Sequence, residues 1–401
     1  MNVRLTPEQE ALVEETDELA RTEFAPRAAR WDRNAEYPRA NVERLREEGY
    51  LGMTVPEAFG GPGRSLLDVV LAIEQVAKYC GVTGRVVVDT NVGALGAVMA
   101  YGTDDQRERL ATRIREEGDK PAIAMTEPGA GTDLGALETV ARRDGDEYVL
   151  DGRKHWITGG SVSRTYFVFA RIVEDGTDHG IGGLLVDADA PGFEVVGVED
   201  AMGVRGTPEG ELAFDGCRVP AGNVVVKDRD EGFKKLMRAY NAQRVCASAV
   251  ALGIAQGAHD LAVEFMQDRE AFDGTVSDLQ GPRWEMAEAE TKLQAARLLC
   301  YRAAANAREL DNNVQLPRLA DTSVAKAYTA DVAFEVVNDA LQMFGARGYS
   351  KGFPLERMLR DVRMFKIGGG TTEAQKNMIA RTLFERGDDE RRARLADFAA
   401  D

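Results

Sequence analysis

The spacing of apolar residues changes period twice along this chain, and that change limits the architecture more than any other feature. From residue 1 to about 118 apolar residues recur at helical spacing, as in "SLLDVVLAIEQVAKY". "TPEQEALVEETDELARTEF" adds a helix start, with Thr6 placed to cap and Glu8 and Glu10 in the first turn. From about 121 to 228 the period falls to two between Gly and Asp turns, in "YVLDGRKHWITGG", "YFVFARIV", "GIGGLLVDA" and "ELAFDGCRVP". That pattern predicts a run of short antiparallel strands. From about 231 long helical patterns return, among them "GFKKLMRAYNAQRVCASAVALGIAQGAHDLAVEFMQ". A chain of 401 residues is too long for one ordinary core. The expectation is an α+β protein in three parts: helices over 1–120, a β domain over 121–230 and a helical bundle over 231–401. The final "RGDDERRARLADFAAD" reads as a loosely held, charged surface tail.

Composition removes several classes of function. Fifty Lys and Arg against 67 Asp and Glu give a net charge of -17, an acidic surface that repels nucleic acid and anionic membrane. The 44% hydrophobic fraction can fill the cores. The start, "MNVRLTPEQEALVEE", has no basic region followed by an apolar run, and no stretch reaches about 18 uninterrupted apolar residues, so a cytoplasmic protein is expected. Cys80, Cys217, Cys246 and Cys300 stand apart without a C-x-x-C, and His155, His179 and His259 do not cluster. Neither a metal site nor a disulfide framework is indicated. Cys246, three residues from Gln243 in a helical pattern, reads as a small buried apolar side chain.

The first segment that carries chemistry is "AMTEPGAGTDLG", Ala124 to Gly135. Its glycines miss the dinucleotide fingerprint by one residue, and strands rather than a βαβ unit follow, so a Rossmann site is not expected. It is followed by "KHWITGG" (Lys154–Gly160), "MGVRGTPEGELAFDGCRVP" (Met202–Pro220), "DREAFDGTVSDLQ" (Asp268–Gln280) and "LQMFGARGYSKGFPLERMLRDVRMFKIGGGTTEAQ" (Leu341–Gln375). In this order and spacing the motifs resemble the acyl-CoA dehydrogenase family over nearly the whole chain. The resemblance implies a homotetramer whose subunits have an N-terminal helical domain, a middle β-barrel and a C-terminal four-helix bundle, with FAD between domains. It implies that Thr126 and Thr158 hydrogen-bond the flavin ring, that Thr132, in the turn with Met125 and Gly131, reaches the pyrophosphate, and that Trp156 flanks the isoalloxazine. Thr371 would lie beside the flavin, and Arg269, Phe272, Gln280 and Gln342 would reach FAD from a neighbouring subunit. The residue types suit that ligand: hydroxyls and amides of a Gly-rich turn can approach phosphate, and a guanidinium can neutralise it.

Two departures from the family pattern concern the reaction itself. Family dehydrogenases take the α-proton of an acyl thioester with a glutamate found at one of two places. Those places hold Gly369, in "IGGGTTEA", and Gln243, just before Arg244 in "YNAQRV". An amide cannot accept a proton at useful pH, and loss of a positioned general base costs about 10²- to 10⁴-fold in rate. Glu373 follows the loop position and reads as capping the next helix.

The second departure is "CGVTGRVVVDTNVGALGA", where Arg85 and Asp89 stand at i and i+4 within a valine run. A buried ion pair is a poor source of stability, so function is the better reason for Arg85. Its planar fork suits a small oxyanion at the far end of an acyl-CoA. Together these segments look like the branch of the family that desulfinates 3-sulfinopropionyl-CoA. That resemblance implies C–S cleavage to propionyl-CoA and sulfite without net redox. Arg85 and Gln243 would be the catalytic residues, with Asp89 and Arg244 completing the substrate contacts and Arg244 organising the thioester end. The alternative is an FAD-dependent oxidoreductase acting on a short-chain or acidic acyl-CoA, with Asp89 as relocated base and electron-transfer flavoprotein as partner. Arg85 beside Asp89 would weaken that base. A flavin-bearing scaffold without turnover is the third reading.

Overall fold

The computed structural model describes residues 4–310, 312 and 314–384; the charged tail read from the sequence lies outside them. Helices come first: α1 (Pro7–Leu19), α2 (Ala25–Asn34), α3 (Arg39–Glu47), α4 (Leu66–Tyr79), α5 (Gly81–Asn91), α6 (Ala94–Tyr101) and α7 (Asp104–Arg115). Their starts are written in the sequence as capping boxes, Thr6 with Gln9, Ser65 with Asp68 and Thr103 with Gln106, each satisfying backbone donors the helix leaves free. Every residue of α5 is buried. Gly84 makes that possible, since a Cβ there would lie 2.9 Å from the Cβ of Ala77 in α4. The end of α5 is fixed by Asn91, which donates to the Tyr50 carbonyl at 2.8 Å and accepts from the Met53 amide at 2.5 Å.

The strands are β1 (Ala122–Ala124), β2 (Val140–Asp144), β3 (Glu147–Thr158), β4 (Thr165–Glu174), β5 (Thr177–Asp187), β6 (Phe193–Val198), β7 (Glu209–Pro220) and β8 (Val224–Val226). They form one sheet in the order β6-β7-β3-β2-β4-β5-β8, with β1 beside β4. Most neighbours are antiparallel, but β1 and β2 run parallel to β4. The reason is the β2–β3 hairpin: β3 goes on to pair with β7, so β4 lies along the other edge of β2 in the same direction. The sheet curls around its own core, where Phe193 of β6 packs 4.6 Å from Tyr166 of β4 and 5.4 Å from Phe214 of β7 between ring centroids.

The remaining helices are α8 (Gly232–Asp268), α9 (Gln280–Ala305), α10 (Leu319–Met343), α11 (Leu355–Met364) and α12 (Thr372–Phe384), with a small hairpin of β9 (Glu270–Ala271) and β10 (Gly274–Thr275) after α8. By length and composition α8 could cross a membrane, yet 83% of its most apolar window is buried against α4, α5, α9 and α10. It is the core helix of the bundle. Gly253 allows α4 to cross it closely, because a Cβ there would collide with the Glu74 carbonyl. All four cysteines are buried and free, and burial pushes the Cys246 thiol far above its ordinary range.

Candidate active site

A cavity of about 1920 Å³ opens where α5, the ends of β3 and β7, α8 and the 366–371 loop converge. Its wall includes Arg85, Asp89, Met125, Thr126, Gly131, Thr132, Trp156, Thr158, Gln243, Arg244 and Thr371, all named from the sequence. Arg269, Phe272, Gln280 and Gln342 do not line it; all four are exposed on the bundle, Phe272 to 93% at the tip of the β9–β10 hairpin.

One end of the cavity is a charge cluster. Arg85 Nη2 lies 3.0 Å from Asp89 Oδ1 across one turn of α5, both side chains buried. Sequence reading missed the other cation: Lys120, buried in the segment before β1, sits 2.8 Å from Asp89 Oδ2 and donates to the Thr158 carbonyl at 3.2 Å. Gly159 (φ +84°) is required beside it, since a side chain there would collide with the Lys120 ammonium. Arg85 Nε has no hydrogen-bond partner among the described residues, and Asp89 Oδ2 meets Lys120 off the hydrogen-bonding direction. A buried guanidinium on a cavity wall with donor capacity to spare suits an oxyanion.

Glu209, also missed, faces this cluster. It lies directly opposite Thr158 in the β3–β7 ladder, and the Thr158 hydroxyl is 3.0 Å from both its carboxyl oxygens. Burial pushes its carboxyl up to about 7, against the opposing pull of Arg85, the Thr158 hydrogen bond and Lys120. Lys120 lies in no motif, and Glu209, though inside the Met202–Pro220 motif, has no local pattern that sets it apart from Glu211. Glu209 acquires its place through the β3–β7 register, and Lys120 by bridging Asp89 of α5 to the Thr158 carbonyl of β3.

The base positions carry no carboxylate. Gln243, buried on α8, is seated against Gly93 (φ +69°), where any Cβ would collide with its Oε1. Gly369 (φ +73°) leaves the loop bare. Arg244 braces that loop: its Nε donates to the Gly369 carbonyl at 2.9 Å, its Nη1 to Asn241 Oδ1 at 2.9 Å, and its guanidinium lies over the Tyr240 ring at 5.1 Å. Lys326 donates to the carbonyls of Phe365 and Gly370 at 2.6 and 2.7 Å; burial, with Arg244 nearby, brings its ammonium down to about 8. Glu373 is exposed in the first turn of α12, its carboxyl held below the usual range by backbone and Thr371 hydrogen bonds.

The opposite wall suits a large flat ligand bearing phosphate. Trp156 stands at a bulge in β3 with φ +57° and 53% of its surface exposed on the cavity, an arrangement that costs backbone strain and apolar exposure. Thr126, Thr132 and Thr371 supply hydroxyls, while that of Thr158 is given to Glu209, and Gly131 leaves its backbone open, with nothing within 4 Å of a Cβ placed there. This wall is pinned from behind by the buried pair Lys154–Glu127 at 2.7 Å; Lys154 also donates to the Met125 carbonyl, and Glu127 accepts the Glu138 and Thr139 amides. Burial lowers Lys154 to about 8. Burial opposes ionisation of Glu127 too, but the Glu138 amide and Lys154 outweigh it and hold that carboxyl low.

A helical domain, a curled sheet and a helical bundle closing on one cavity define a class of enzyme that grips a large ligand where its domains meet. The comparisons with known proteins specify which. The acyl-CoA dehydrogenase N-terminal, middle and C-terminal domain models match residues 6–117, 122–217 and 230–384. The chain belongs to the acyl-CoA dehydrogenase family. It is 47% identical over 382 residues to the 3-sulfinopropanoyl-CoA desulfinase of Paraburkholderia xenovorans (strain LB400), covering 94% of this chain and 96% of that protein. The short-chain specific acyl-CoA dehydrogenase of Clostridium acetobutylicum (strain ATCC 824) is 34% identical over 384 residues, 96% of this chain and 100% of that one. The solved structure of butyryl-CoA dehydrogenase from Megasphaera elsdenii matches with a TM-score of 0.89 at 30% identity, covering 96% of this chain and 100% of that one.

Proposed function

We propose that the protein binds FAD and an acyl-CoA with an anionic tail, and cleaves 3-sulfinopropanoyl-CoA to propionyl-CoA and sulfite. The observation that carries this reading is the pairing, in one cavity, of the buried Arg85 fork with base positions held by Gln243 and Gly369. The kinship with the Paraburkholderia desulfinase supports it. The overall change consumes water: the C–S bond breaks, carbon gains a proton, sulfur gains oxygen from water as bisulfite, and no external oxidant or reductant is needed.

Arg85 receives the sulfinate, with Asp89 and Lys120 fixing the orientation of its fork. Gln243 offers the acyl chain an amide with the shape of a glutamate and no basicity, so the α-proton stays in place. Arg244 acts by holding the 366–371 loop against α8. Thr126, Thr132, Trp156, Thr158 and Thr371 would hold FAD, which when bound supplies an electron-accepting ring system. The exposed Arg269, Phe272, Gln280 and Gln342 would serve the site of a neighbouring copy in a homotetramer of the cytoplasm.

Dehydrogenation with Asp89 as base, and electron-transfer flavoprotein as partner, fits less well. That carboxylate is paired with Arg85 at 3.0 Å and Lys120 at 2.8 Å, buried ion pairs that taking a substrate proton would forfeit. Arg85→Lys tests the reading: with flavin content unchanged, sulfite release from 3-sulfinopropanoyl-CoA should fall about 10- to 100-fold as the charged fork is lost. Undiminished release would remove Arg85 from the mechanism.

A further inference from the structure

Three cavity carboxyls have no role in the proposed reaction; Asp133 and Asp200 are exposed, but Glu209 is not, and its surroundings give it one. Its only side-chain hydrogen bond comes from Thr158, and among the described residues no cation lies within ion-pair distance of it. The groups that face it are Arg85 and Asp89 from α5, Lys120 from the segment before β1, Thr158 from β3 and Tyr240 from α8. Lys120 and one nitrogen of Arg85 are already committed to Asp89.

The charges can be counted directly. Among the groups that face Glu209, Arg85 and Lys120 balance Asp89 and an ionised Glu209, so that cluster is neutral when empty; Arg244 stands outside it, its guanidinium engaged by the Gly369 carbonyl, Asn241 and the Tyr240 ring. An anionic acyl tail arriving on Arg85 would then leave one uncompensated negative charge in a buried site, which is strongly unfavourable. A proton on Glu209 restores neutrality. Burial has already brought this carboxyl close to the point where that proton is freely exchanged near neutral pH.

We propose that Glu209 couples recognition of the acyl tail to a proton: a tail carrying a full negative charge binds together with one proton taken up by the Glu209 carboxyl, and a neutral tail does not. The inference rests on the reading of this cavity as an acyl-CoA site and adds a residue that determines specificity. It makes the cavity a sensor of tail charge, because only an anion both engages Arg85 and protonates Glu209. Arg85 supplies attraction, while Glu209 sets its pH dependence, repelling the anion whenever it is ionised.

The test is calorimetric titration of the holoenzyme with succinyl-CoA and with butyryl-CoA, at about pH 8, in buffers of different ionisation enthalpy. The butyryl thioester corrects for protons moved by the CoA phosphates. With a midpoint near 7, succinyl-CoA should take up about 0.9 proton more than butyryl-CoA, and its affinity should fall about tenfold per pH unit above the midpoint. In Glu209→Gln, which keeps the size and the Thr158 contact, the excess should vanish and succinyl-CoA affinity should become flat with pH. Glu209→Asp, which keeps an ionisable group, should retain the uptake, separating loss of the proton site from loss of the fold.

Equal uptake for the two thioesters in wild type overturns the proposal, as does an excess that persists in Glu209→Gln. Bleaching of the flavin by butyryl-CoA in wild type that disappears in Glu209→Gln also overturns it, because Glu209 would then be a base toward a neutral acyl chain. Sulfite release from 3-sulfinopropanoyl-CoA, assayed on the same preparation, keeps the two ideas apart. Release without excess uptake sinks the proposal for Glu209 alone; excess uptake without release sinks the desulfinase reading alone.

Discussion

Exchanging the Gln243 amide for a carboxylate keeps the side chain's shape and adds a base. The seat against Gly93 has room for either group, so Gln243→Glu is expected to fold and keep its flavin. It should gain bleaching of the flavin by butyryl-CoA, at a rate about 10²- to 10⁴-fold above any trace in wild type; no bleaching would mean that more than the base separates the two chemistries. Glu209 supplies a pH signature at the same scale. Its carboxyl is raised to about 7, so the native state holds this proton more tightly than the unfolded chain does. The associated stability is fully present below the unfolded value of about 4.3 and is lost as pH rises through about 7. Thermal melts of wild type and Glu209→Gln should diverge in the variant's favour between about pH 5 and pH 8, by at most roughly 3 kcal/mol. A constant gap would mean that the carboxyl is not raised. Arg85 and Asp89 were legible because i and i+4 within a valine run leave no doubt that they share a buried face. Lys120 and Glu209 were not, since a lysine in "GDKPAIA" and a glutamate in "GTPEGELAF" look like ordinary surface residues until β3 is paired with β7. Arg244 lines the cavity, and the sequence could not show that its guanidinium braces the Gly369 loop.

The elements that hold these residues are rigid for identifiable reasons. Period alone located most helices and strands, because each buries one face and its caps are local. It could not give the parallel pairing of β2 with β4, which depends on where the β2–β3 hairpin docks. Nor could it give the bulge that turns Trp156 onto the cavity, which is a mismatch of register between two strands. The wall bearing Met125 to Thr132 depends on Lys154, whose ammonium is wholly buried against Glu127. Lys154→Met would leave that carboxylate without its counter-ion, and a broken buried pair costs about 3–5 kcal/mol. The expected outcome is a lower unfolding midpoint in denaturant together with loss of flavin at lower temperature. An unchanged midpoint would show that the Glu138 and Thr139 amides suffice to hold Glu127.

At the scale of the whole molecule, a chain of net charge -17 gathers cations around its cavity: Arg85, Arg244 and Lys120 deep within, and Arg238, Arg308 and Arg363 along the wall. That contrast favours a polyanionic ligand over a neutral one, as an acyl-CoA requires. The exposed Arg269, Phe272, Gln280 and Gln342 lie away from the cavity, and on the proposed reading they complete the cofactor site of a second copy in a tetramer. Sedimentation should therefore give a mass of about four chains, and Phe272→Asp should both shrink the assembly and release flavin, since one ring would serve interface and cofactor. A monomer that retains flavin would contradict that arrangement. An anion receptor and a silenced base, together, turn a dehydrogenase fold to C–S cleavage on the proposed reading. That reading is tested most directly by mixing the purified holoenzyme with 3-sulfinopropanoyl-CoA and no electron acceptor, while following sulfite, propionyl-CoA and the flavin spectrum. The account predicts sulfite and propionyl-CoA in equal amounts, many turnovers, and a flavin that ends oxidised. No sulfite, together with a flavin bleached by an acyl-CoA, would contradict it.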